Sequence, residues 1–133
     1  MAADNFYQDI TLIAGADLST HQFKGVKLDA AGAAVLVAAA TDVPVGVLQN
    51  KPTSGQAATV RVLGVTKFLS GGTITAGGVT GRIRSSNGTA IAAQALGTGP
   101  TEFIYGQAMQ SSSSGDVFKA IIDCINPGPN PVS

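Results

Sequence analysis

The one histidine of the chain, His21, stands between Thr20 and Gln22. An imidazole acts as a general base only with a group that orients it and a nucleophile within reach. No neighbouring residue supplies either, so a turn or surface position is expected. The one cysteine, Cys124, closes an alternating apolar run, the setting of a small buried hydrophobe rather than of a reactive thiol. A single cysteine allows no disulfide within the chain, and one histidine with one cysteine makes no zinc-ligand set of the usual spacing.

The carboxylates Asp4, Asp9, Asp17, Asp29, Asp42, Glu102, Asp116 and Asp123 are scattered, with no D-x-D cluster and no EF-hand spacing. Most fall at turns, where aspartate bonds nearby backbone. A glycosidase pair would have to be brought together by the fold. The glycines build neither a phosphate-cradling loop nor a nucleophile elbow. No catalytic residue, cofactor or metal site is expected, and the chain reads as a non-enzyme.

What remains is contact chemistry. Arg82 and Arg84 share one strand face, a spacing that suits a phosphate or an acidic partner as well as a plain solvated surface. Lys51-Pro52 lies in a polar loop, where contact residues concentrate. Asn87-Gly88-Thr89 matches a glycosylation acceptor but is first of all a hairpin turn.

A chain of 133 residues fits one domain with a real core. Charged residues make up 12%, balanced at eight and eight, so no field steers it toward nucleic acid or an anionic membrane. With 44% hydrophobic residues, the surface must be built largely from Ser, Thr, Gln, Gly and Ala, which suits lasting protein contact. The start, MAADNFYQDI, lacks the pattern of a secretory signal, and the longest apolar run, Ala30 to Ala40, is too short to span a bilayer. A soluble protein made in a reducing cytoplasm is expected.

The elements that must carry these residues are extended. Residues 1–20 form an N-terminal arm or a first strand, with loose alternation from Phe6 to Leu12. Gln22 to Leu28 and Ala33 to Ala40 are expected to form a hairpin around Asp29-Ala30-Ala31-Gly32. Alanine there favours helix, but the central Val35-Leu36-Val37 and the stop at Asp42-Val43-Pro44 favour strand. Val45 to Gln49 is a short strand. Ala57 to Leu69 is a long one in which Gly64 marks a bulge or bend. Asn87-Gly88 predicts a type I′ turn pairing Arg82–Ser85 with Thr89–Ala93. Leu96 to Pro100 reads as a loop, and the Pro-rich 127–133 as an exposed tail.

Two stretches match without a gap: VGVLQNKPTSGQAATVRVLG from Val45 and YGQAMQSSSSGDVFKAIIDC from Tyr105. Gly46, Ser54 and Gly55 correspond to Gly106, Ser114 and Gly115. Gly25-VKLDAA-Gly32 and Gly81-RIRSSN-Gly88 correspond in turn. The β-domain, 21–126, is therefore expected to hold two related units, about 25–64 and 81–124, joined through Val65 to Gly78. The expected fold is all-β, a compact barrel or sandwich of about eight to ten short strands.

These pieces, V-G-V-L-Q, S-G, A-T-V-R-V-L-G-V-T-K, T-I-T-A-G-G, N-G-T-A-I-A-A, Y-G-Q-A-M and S-S-S-S-G before a last apolar strand, resemble the small capsid cement or decoration proteins of tailed bacteriophages. The resemblance spans Phe6 to Cys124. It implies a β-rich virion protein on the outer capsid surface that clamps major capsid protein subunits, often as a homotrimer. Family members often carry an acidic residue and an aspartate-centred turn where this chain has Gly78 and Ser85-Ser86-Asn87. Under it, Asn5, Phe6, Tyr7 and Gln8 are expected to contact a neighbour, because an aromatic pair in an aromatic-poor chain is an anchor. Burial of both rings in their own domain is the alternative. A module of a phage tail or fibre is a rival reading. So is a carbohydrate-binding module, although Tyr7 and Tyr105 are the only tyrosines and there is no tryptophan to form a sugar platform.

Overall fold

The computed structural model describes residues 6–94, 102–125 and 128–129. Its strands are β1 (Tyr7–Ile13), β2 (Gly25–Leu28), β3 (Ala34–Leu36), β4 (Gly46–Leu48), β5 (Ala57–Leu69), β6 (Arg82–Arg84), β7 (Ile91–Ala92), β8 (Phe103–Ile104), β9 (Gly106–Ala108), β10 (Val117–Asp123) and β11 (Gly128–Pro129). A 3-10 turn, Val79–Gly81, precedes β6. The fold is all-β, with the main antiparallel sheet curled into a half-barrel.

The alternation of β5 positions everything else. Ala58, Val60, Val62, Gly64, Thr66 and Phe68 turn inward, while Thr59, Arg61, Leu63, Val65, Lys67 and Leu69 turn outward. β1 pairs with its first half, from Ile13 opposite Ala57 to Tyr7 opposite Gly64. β10 pairs with its second half, from Asp123 opposite Leu63 to Val117 opposite Leu69. The expected irregularity at Gly64 takes the form of a register shift between Gln8 and Asp9, which leaves Val62 unopposed, followed by Gly64 at φ 104. β5 nevertheless runs unbroken.

The sheet order β3-β2-β4-β5-β10-β9-β6-β7 reads the same from both ends once β3 is matched to β7, β2 to β6, β4 to β9 and β5 to β10. Register matches too, although Val26 opposite Gly46 answers to Ile83 opposite Gly106, so the expected match of Gly25 to Gly81 is off by one residue and Gly25 answers to Arg82. Val47 faces Arg61 and Leu48 faces Val60 in the first half; Gln107 faces Ile121 and Ala108 faces Ala120 in the second. The correspondence extends further than 25–64 and 81–124. The bridge of Ala14 to Ala34 is repeated by Ser70 to Ala90. The bond from the Leu18 N–H to the Pro52 carbonyl is repeated from Ile74 to Ser112. The second half of β5 thus stands to β10 as β1 stands to the first half of β5, and Val65 to Leu69 belongs to a repeat rather than to a joining segment.

Two buried clusters follow the repeats, except that Val37 and Val47 of the first repeat pack in the second cluster. One contains Leu18, Val26, Ala34, Leu48, Ala58, Val60 and Val62. The other contains the matching Ile74, Ile83, Ala90, Ala108, Phe118, Ala120 and Ile122. Volume is exchanged within a layer: Leu48 and Ala58 become Ala108 and Phe118, which keeps packing density while changing side chains. Phe118 stacks on Phe68 at 6.2 Å, and Tyr105 meets Phe68 edge-on at 5.4 Å.

Several expectations change in detail. The alanine-rich stretch is strand, but only over Ala34–Leu36; beyond it the Asp42 carboxylate accepts the Ala38 and Ala39 N–H groups and folds the chain into a turn. β2 starts at Gly25, because Phe23 takes φ 67 and breaks the extended run. The Arg82 hairpin forms, but its turn is not type I′. Gly88 has φ 96 while Asn87 keeps a negative φ. The reason is local: the Asn87 amide oxygen accepts the Thr89 N–H and hydroxyl, and the Ser85 hydroxyl accepts the Gly88 N–H. Of the Pro-rich segment, Gly128–Pro129 pair with β8 in a ribbon separate from the main sheet. Leu96 to Pro100 lies outside the described residues.

Candidate interaction face

The outer surface where the two repeats meet on β5 and β10 carries a group of exposed aromatic, cationic and apolar side chains. Arg61 is fixed from three directions. Its guanidinium donates to both Asp9 carboxylate oxygens at 2.8 and 3.2 Å and to the Val65 carbonyl at 3.1 Å, and it covers the Tyr7 ring at 3.7 Å from the centroid. Two residues further along β5 from Val65, Lys67 stands directly opposite Lys119 of β10. Both are exposed. The Leu69 N–H bonds the Phe23 carbonyl, away from β10, so Leu69–Val117 and Lys67–Lys119 are non-hydrogen-bonded pairs, in which facing side chains stand closest. Lys67 approaches the Phe23 ring at 5.8 Å, and neither ammonium has a carboxylate partner among the described residues.

Tyr7, Arg61, Val65, Lys67 and Lys119 line a groove of about 270 Å³. Beside it a mainly apolar groove of about 490 Å³ is lined by Phe6, Leu63, Gly64, Gly106, Gln107 and Ile121. Phe6 is 65% exposed and Ile121 48%. Cationic and apolar surfaces therefore adjoin, with Tyr7 and Arg61 as a stiff wall between β1 and β5.

The residues expected at a contact are distributed unevenly. Phe6, Tyr7 and Gln8 are exposed and enter or begin β1, so neither ring is buried in its own domain, and the segment is a strand from Tyr7 onward. Asn5 lies outside the described residues. Lys51 is exposed on a distant loop, while Pro52 is buried and its carbonyl accepts the Leu18 N–H. Arg82 and Arg84 present no open cationic pair. Arg82 donates to the Val79 and Gln94 carbonyls, and Arg84 donates to the Ala92 carbonyl and forms an ion pair at 2.9 Å with Glu102, whose side chain is 1% exposed. Sequence reading missed Arg61, Lys67, Lys119 and Ile121. Their outward direction was legible in the alternation of β5 and β10; their adjacency depends on a register that no local signal carried.

The groups singled out for chemistry are placed structurally. His21 sits in a turn with its Nδ1 3.1 Å from the Lys24 ammonium, and burial, then Lys24, lowers its pKa from the ordinary 6.5. Cys124 is buried, and burial, then Asp123, pushes its thiol up to about 12. A thiol held protonated in this way is a poor nucleophile.

Comparison with protein-family models gives no match, and comparison with curated proteins gives none. A solved structure shares the fold. The N base of the head fiber gp8.5 of bacteriophage phi29, a crystal structure, superposes with a TM-score of 0.61 at 16% sequence identity. The likeness covers 90% of this chain and 96% of that one, so both repeats and their common sheet are included.

Proposed function

We propose that this chain is a structural protein of a bacteriophage virion, seated on the outer surface of the head, where it binds major capsid protein and stabilises the assembled shell. The observation that carries the reading is the fold shared over 90% of the chain with a head fiber base. It joins a motif pattern that independently resembles capsid decoration proteins. The surface chemistry is compatible: a weakly charged exterior lies against a neighbour with little desolvation penalty, and an oligomer that touches several shell subunits gains from effective concentration. Because the protein would bind only the assembled state, it would shift that state's stability by mass action. A homo-oligomer, with a trimer favoured by the resemblance, suits this role.

The fibre likeness favours one second reading, in which the domain is the base that anchors a larger head-bound appendage. A sugar platform finds less support, since Tyr105 is buried and Tyr7 lies under Arg61.

Co-sedimentation with expanded and unexpanded heads of the source virus, stripped of the protein, tests the proposal. Saturable binding to expanded heads at a simple ratio to the major capsid protein is expected. Binding at a ratio of one oligomer per few capsomers, restricted to one symmetry position, would favour the appendage base. Absence of binding to both shells would overturn both.

A further inference from the structure

The internal repeat supplies a control for the outer face. Position for position, Lys67 opposite Lys119 corresponds to Thr11 opposite Thr59 in the first repeat, and Val65 opposite Ile121 corresponds to Asp9 opposite Arg61. A facing Thr–Thr pair is a stabilising arrangement in a sheet, and a facing pair of like charges is a destabilising one. The same scaffold therefore accepts threonines at this place, and the fold itself does not call for two lysines.

The other basic side chains sharpen the contrast. Lys27 is paired with Asp42, Arg61 with Asp9 and Arg84 with Glu102. Lys24 reaches His21, Arg82 bonds backbone carbonyls, and Lys51 stands exposed on its own loop with no second cation opposite it. Among the described residues, Lys67 and Lys119 face each other without a carboxylate partner, on the surface shared by both repeats and beside an exposed apolar groove.

We infer that this face receives an extended acidic segment of the major capsid protein, with a carboxylate between Lys67 and Lys119 and an apolar side chain against Val65, Ile121 and Phe6. The inference rests on the head-surface function proposed above and adds to it the chemistry of the partner. Lys67 and Val65 are two residues apart on β5, as Lys119 and Ile121 are on β10, so the cationic and apolar places are separated by about 7 Å. A partner in strand conformation matches that distance with an acidic residue and an apolar residue in an acidic-x-apolar pattern. The carboxylate would remove the repulsion between the two ammonium groups, so binding is favoured over the free state at this site in particular.

The test transplants the pair from the first repeat. Lys67→Thr/Lys119→Thr should melt no lower than the wild type, and should bind expanded heads roughly tenfold or more weakly with a shallower dependence on salt. Lys67→Arg/Lys119→Arg, which keeps the charge, should retain binding and its salt dependence. If the wild type binds and the threonine variant binds equally well, the inference is overturned while the head-surface reading stands. If the arginine variant loses binding as the threonine variant does, charge is not what the site reads, and the inference is again overturned. If the threonine variant fails to fold, the internal control is refuted, and Lys119→Gln then decides whether the charge matters: unchanged binding overturns the inference. If the wild type binds neither shell, the functional reading falls and this inference falls with it.

Discussion

Glu102 carries a carboxylate into the interior, where it holds Arg84 and accepts the Gln94 N–H at 2.9 Å. Removing one member of a buried pair leaves the other desolvated and uncompensated. Glu102→Ala should therefore lower unfolding stability by about 3 kcal/mol or more in urea titration, and Arg84→Met/Glu102→Leu should recover much of it. His21 gives a pH signature. Its folded pKa is depressed, so below the ordinary value of 6.5 the unfolded chain binds the proton that the folded chain resists. Stability should be complete above that pH and fall as pH drops from roughly 7 toward the lowered folded pKa, where this contribution levels off. The slope should shrink in His21→Gln, measured by denaturant midpoints across that range. Lys24 reinforces the depression and Asp17 opposes it, so Lys24→Gln should flatten the same slope in part.

At the scale of elements, the glycines that first suggested a repeat have a physical cause. A side chain at Gly46 would overlap the Arg61 carbonyl of β5, and one at Gly106 would overlap the matching Ile121 carbonyl of β10. Each lets a short strand approach its long partner. Gly106→Ala should push β9 off β10 and reduce stability by about 3 kcal/mol, with the amides of β9 losing hydrogen-exchange protection before the rest of the sheet. Much at this scale was legible beforehand. The alternation in ATVRVLGVTKFL gave β5 and the inward set, and the ungapped match of Gly46 to Gly106 anticipated equivalent strands. The start of the repeat at β1 was hidden, because Leu12-Ile13-Ala14-Gly15 and Phe68-Leu69-Ser70-Gly71 share little beyond a glycine and a hydrophobic pattern. The turn at Asn87 departed from the usual Asn-Gly rule because side-chain bonds from Asn87 and Ser85 set its shape. The interaction face was the least legible part. Alternation tells which side chains point outward, whereas only the β5–β10 register places one lysine against the other.

The whole molecule has two cores and one continuous strand through both. Separate cores would allow separate melting, but β5 donates inward residues to each, from Val60 in one to Phe68 in the other. Phe68→Ala removes a fully buried ring that touches Tyr105 and Phe118, and should cost about 3–5 kcal/mol. The loss should appear as one shifted transition, with circular dichroism and hydrogen exchange reporting the same midpoint; two resolved transitions would mean that the repeats unfold independently.

The start of β1 and the end of β10 meet the same point of this strand from opposite sides, Tyr7 against Gly64 and Asp123 against Leu63. Both ladders run antiparallel to β5. The line between these two points runs across the strands, so tension drawn between them would open each ladder from its end, one hydrogen bond after another. Along that line the molecule would lengthen in small steps rather than in one abrupt break.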